Sequence, residues 1–150
     1  MTAPSPANAP AACPISASRM LVPVDLGQLA NSEHAIETAV WLARQAGASL
    51  TILTVANPLG IAFSDMPEDK KPDFEAFVAK MSDRHDFDIS PLFRSHESVK
   101  YAIRQAIEDE NIDLVVMATH DPRLTDHLFG SRSSETALHN DCSILILRDN

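Results

Sequence analysis

Apolar residues recur along this chain with two alternating periods. Met20 to Asp25 (Met-Leu-Val-Pro-Val-Asp) is short and almost continuously apolar, as a strand covered on both faces of a parallel sheet must be. Asn31 and Ser32 then offer a helix cap. Ala35, Ile36, Ala39, Val40, Leu42, Ala43 and Ala46 return at helical spacing until Gly47, which predicts a helix over 32–46. Ser49 to Ala56 is rich in β-branched and apolar residues and closes at Asn57-Pro58, a second strand ending in a turn signal. From Pro58 to Asp69 the periodicity is lost, which predicts a long surface loop covering a site. Phe74, Phe77, Val78 and Met81 restore a helical stripe over about 72–84.

Phe87 to Ser95 is the third strand, and Pro91 within it has no N–H to give a central ladder, so this strand belongs at a sheet edge. Ser98 opens a third helix with Val99, Ala102, Ile103, Ala106 and Ile107 on one face. Asp113 to Ala118 is the fourth strand. A polar loop over 119–125 leads through Leu128-Phe129-Gly130-Ser131 into a short fourth helix, and Ser143 to Arg148 forms the fifth strand. Strands alternating with helices predict an α/β fold: an open, doubly wound, parallel five-stranded sheet with helices on both faces. With the third strand at an edge, the order is 3-2-1-4-5. Ligands of such sheets bind beyond the carboxyl ends of the strands where the order reverses, here between strands 1 and 4, which singles out Asp25 and the stretch from Met117 to Ser133.

Composition narrows the picture without changing it. A chain of 150 residues, 45% hydrophobic and 22% charged, is sized for one self-sufficient core. Residues 1–18 carry four prolines and no charge, so they are expected to form a disordered tail, dispensable to a domain over 19–150. A net charge of −9 with no Lys/Arg run argues against nucleic acid. No apolar run approaches a membrane span and no leader pattern precedes the domain, so the chain is expected to be cytoplasmic. Of the two cysteines, Cys13 and Cys142, the second is expected to be a small buried apolar residue, with a metal or redox pair as the alternative. His120 and His127 are separated by Pro122, and no cysteine or carboxylate pair completes a zinc set. No nucleophile elbow, Walker lysine motif or GxGxxG occurs, so nothing in the sequence argues for an enzyme.

The pattern Leu21-Val22-Pro23-Val24-Asp25, with Met117-Ala118-Thr119-His120, Gly130-Ser131 and the closing Cys142-Ser143-Ile144-Leu145-Ile146-Leu147-Arg148, resembles the universal stress protein family over about residues 19–149. The resemblance implies a stress-response module that binds ATP or a related adenine nucleotide and forms homodimers through its last strand, with a further protein partner of unknown identity. It places Pro23, Val24 and Asp25 beside the adenosine and Val55 beside the base. The ATP-binding members carry Gly-x2-Gly-x9-Gly-Ser/Thr after the fourth strand. Here Ala118 and Asp121 stand in place of the first two glycines and the second gap is one residue shorter, a pattern similar to the family's F-like branch. Met117 and Ala118 are counted among the nucleotide-binding residues, and His120 is read as a loop residue supporting the phosphate region. Gly130, Ser131, Arg132 and Ser133 could cradle phosphate through helix-start amides, hydroxyls and the guanidinium of Arg132 or Arg123, while an inward Asp121 would oppose it. Gly130-Ser131 could instead merely start a helix, and Asp25 merely cap a turn. A member that has lost nucleotide and acts through partners, and a slow ATP hydrolase, are the two other readings.

Overall fold

The computed structural model describes residues 15, 17–57, 67–118 and 142–148. Five parallel strands form one sheet: β1 (Arg19–Val24), β2 (Ser49–Ala56), β3 (Ile89–Ser95), β4 (Leu114–Ala118) and β5 (Ser143–Leu147). Their order is β3-β2-β1-β4-β5, the order expected from the sequence. The strands are apolar on both sides because both sides are covered. Met20, Val22, Leu50, Ile52, Leu114 and Val116 point into one core with α1 (Glu33–Ala46) and α2 (Pro67–His85), and Ala17 packs there too. Leu21, Leu53, Val115 and Met117 point into a second core beneath α3 (Val99–Asp109).

Edge placement of β3 follows from Pro91. His96 N–H donates to Ala56 C=O at 2.9 Å, so the alternate residues Arg94, Leu92 and Ser90 face β2 and Pro91 turns its missing donor to the open side.

Helix ends carry both confirmations and corrections. Gly47 closes α1 in the left-handed region (φ 67), where a residue without Cβ is unstrained. Ser98, expected near the start of the third helix, caps α3 through its Oγ, which accepts from the Tyr101 N–H at 3.2 Å. Ser32, predicted to cap α1, makes no side-chain cap bond. Two 3-10 turns over Leu26–Ser32 run straight into the helix and hold Ser32 itself in a helical conformation (φ −89, ψ −8), so its hydroxyl is not presented to the first amides. The second helix also starts earlier than its apolar stripe. Residues 67–69, assigned to a loop from sequence, are helical, with Pro67 at the first position where its missing N–H costs nothing and Pro72 carried inside. The remainder of that expected loop, the fourth helix and residues 1–14 lie outside the described residues.

The amino end of the sheet is tied by Asp113. Its carboxylate accepts from the N–H groups of Ser18 (2.7 Å) and Arg19 (3.0 Å). Its own N–H donates to Arg19 C=O and its C=O accepts from Ser143 N–H, both at 2.9 Å. One residue thereby sets the starts of β1, β4 and β5 against one another. Among the described residues, no helix is long and apolar enough to cross a membrane.

Candidate functional site

The strand order reverses between β1 and β4, whose carboxyl ends carry Pro23, Val24 and Asp25 on one side and Met117 and Ala118 on the other. A turn fixes the first group. Asp25 leaves the strand in an extended conformation (φ −92, ψ 123), its Oδ1 accepts from the Gly27 N–H at 2.8 Å, and its C=O accepts from Gln28 N–H at 3.0 Å. The carboxylate is therefore held at the lip of the sheet by its own turn, the capping role foreseen as one of two readings. That role does not use up the group, since an ionised carboxylate offers about four acceptor positions.

Thr54 sets the residue before it. Its hydroxyl, the one buried polar side chain among the described residues, donates to Val24 C=O at 3.0 Å across the β1–β2 seam. Sequence reasoning passed over Thr54. Its only signal was a hydroxyl inside the mostly apolar run Ser49–Ala56, a mark that Thr51 shares, at a position that needs a partner if it is to be buried.

The side chains expected near a ligand divide between the two faces of the sheet. Val24 is 4% exposed and lies in the core with α1, so it offers a ligand its backbone; Ala118 packs half-buried on that same face. Val55 and the fully buried Met117 lie on the α3 face, and Pro23, two residues after Leu21 on that strand, is buried there as well. The structure thus brings Pro23, Val55 and Met117 to one face and Val24 with Ala118 to the other, with Asp25 at the exposed edge between them. His120, Asp121, Arg123, Gly130, Ser131, Arg132 and Ser133 lie outside the described residues.

Two further features stand apart from this crevice. At the end of β3, His96 Nδ1 accepts from Ser98 N–H at 2.8 Å, and its ring stacks on Tyr101 with 4.6 Å between centroids. At the amino end, Cys142 is half-buried, and this burial, reinforced by the nearby negative charge of Asp113, pushes its thiol up to about 11, away from the reactive thiolate form. No cluster of three or more His, Cys, Asp or Glu poised for a metal occurs among the described residues.

A sequence profile described as the universal stress protein family matches residues 17–148. Among curated proteins, universal stress protein G of Salmonella typhimurium is 25% identical over 139 residues, spanning 86% of this chain and 97% of that protein. Among solved structures, a universal stress protein in complex with cAMP aligns with a TM-score of 0.62 at 19% identity, covering 89% of this chain and 98% of that one. A universal stress protein family protein from Arabidopsis thaliana with AMP bound aligns with a TM-score of 0.57 at 15% identity, covering 89% and 92% of the two chains. At these identities the two structures speak for a shared fold.

Proposed function

We propose that this chain, which belongs to the universal stress protein family, binds an adenosine nucleotide as a regulatory ligand at the carboxyl ends of β1 and β4. The observation that carries this reading is Asp25: a carboxylate anchored by its own turn at the reversal of strand order, where a parallel sheet receives its ligands. It can accept hydrogen bonds from ribose hydroxyls or from the adenine amino group. Solved structures of the same fold with cAMP and with AMP bound support the choice of an adenine nucleotide.

ATP is the finer proposal, and it rests on sequence. Gly130, Ser131 and Ser133 supply the residue types that receive phosphate, with Arg132 to balance charge. Ala118 and Asp121, where the nucleotide-binding pattern has glycines, favour the second reading: a module that binds no nucleotide and works through protein partners.

Titration calorimetry with ATP, AMP and cAMP tests the two readings. The wild type is expected to bind ATP in the micromolar range, about −8 kcal/mol. Asp121→Gly is expected to tighten ATP about tenfold or more, because a carboxylate about 4 Å from a phosphate charge costs roughly 1–4 kcal/mol. Gly130→Val is expected to abolish binding. No heat from any of the three proteins would leave the partner-only reading in place. Phosphate release by the wild type with ATP would convert the regulatory reading into a slow hydrolase.

A further inference from the structure

We infer that Ser82 and Pro91 together close the β3 edge of the sheet to a second copy of this chain. The inference concerns how the molecule meets copies of itself and is independent of the nucleotide reading.

An open sheet carries an unpaired row of backbone groups at each edge, and each row is a template for a further strand. Here the edge strands are β3 and β5. One bond tells which groups of β3 face away from the sheet. His96 N–H donates to Ala56 C=O, and successive residues of a strand turn their backbone groups to opposite sides, so Ile89, Pro91, Phe93 and Ser95 turn theirs outward. The first outward donor is taken from within the chain. Ser82, near the end of α2, accepts from Ile89 N–H through its Oγ at 3.4 Å, while its hydroxyl donates to Phe87 C=O at 2.6 Å. Phe87 N–H donates in turn to Ser82 C=O at 3.2 Å. The second outward position is Pro91, which has no donor. An incoming strand would find outward N–H groups at Phe93 and Ser95 alone, short of the pairing that a strand of about five or six residues makes along its length.

The edge needs closing because its shape suits a partner. It runs in unbroken register with β2 from Leu50↔Ile89 to Ala56↔Ser95, and Leu92 and Phe93 are half-buried. Its charged residue, Arg94, is drawn onto α3 by Asp109 at 3.1 Å. A straight, partly apolar edge is the kind that joins other chains. The two closing devices come from different elements, a serine on α2 and a proline in β3, yet they block neighbouring positions of one edge. β5 carries no proline within Ser143–Leu147, and its Ile146 stands 37% exposed. The difference sets the kind of assembly open to the chain. Two copies meeting β5 to β5 would form a contact that closes on itself, whereas an open β3 at each end of the joined sheet would admit further copies without limit.

Pro91→Val restores an outward N–H, and Ser82→Ala frees that of Ile89. Both are made in an Ile146→Asp background, so that β5 does not contribute to association. The combined substitutions are expected to raise the mass by light scattering at least twofold over Ile146→Asp alone at the same concentration. The amide of residue 91 is expected to exchange at least tenfold more slowly in concentrated than in dilute protein. Pro91→Val without the Ser82 change keeps the bonds at the end of α2 and is expected to show the same slowing to a smaller extent, which covers the case in which loss of Ser82 unfolds that helix. An unchanged mass would overturn the inference. So would a raised mass with an amide at 91 that exchanges equally fast at every concentration, because association would then run through another surface.

Discussion

Thr54 is a hydroxyl in an apolar layer, 1% exposed, with its hydrogen bond to Val24 as its reason for being there. Thr54→Val keeps shape and removes the bond. A net loss of about 1 kcal/mol is expected, read as a lower urea midpoint with unchanged slope. Cys142 illustrates the opposite case, a polar atom made inert by its surroundings. Its folded pKa of about 11 lies above the ordinary value of 9.0, so the stability it contributes is present in full below pH 9 and is lost as pH rises toward 11. In a Cys13→Ala background, alkylation of Cys142 by iodoacetamide is expected to accelerate only as pH approaches 11; a midpoint near 9 would show the thiol to be open to water. That Cys142 packs against the apolar core was legible from the run that follows it, but it is half-buried there and not buried as expected. The Thr54 bond was not, because a hydroxyl in a strand has no sequence mark of which carbonyl lies opposite.

The strands and their order were legible because parallel strands covered on both faces must be apolar throughout, and because Pro91 marks an edge. Prolines in the helices and in β1 were harder. Pro67 starts a helix, Pro72 rides inside it, and Pro23 ends a ladder. Which of these a proline does depends on where its nitrogen faces, and that is fixed by the neighbouring strand or turn and not by the local pattern. At the other edge, β5 presents Ile146 at 37% exposure beside half-buried Ile144, Leu145 and Leu147, and among the described residues it pairs with β4 alone. A bare apolar edge invites a second strand. If two copies pair there, Ile146→Asp is expected to give monomers by light scattering at concentrations where the wild type is dimeric, with the far-UV spectrum retained.

At the scale of the whole molecule, the position of the candidate site followed from strand order and its content only in part. Asp25 could be placed because it is the first polar residue after β1. The phosphate side, His120 and Gly130 to Ser133, rests on the sequence pattern alone. The sheet also has a mechanical character set by Asp113. All five strands point the same way, so tension applied between residues 18 and 147 draws β1 back by its amino end and β5 forward by its carboxyl end. The load slides β1, β4 and β5 past one another lengthwise, and the rungs share it at once instead of parting in turn. The two-pair seam between β1 and β4 is the short link in that line, and Asp113, gripping Ser18 and Arg19 on one side and Ser143 on the other, lies across it. Asp113 thus acts as a rivet through three strand starts, at the point that the line of force must cross.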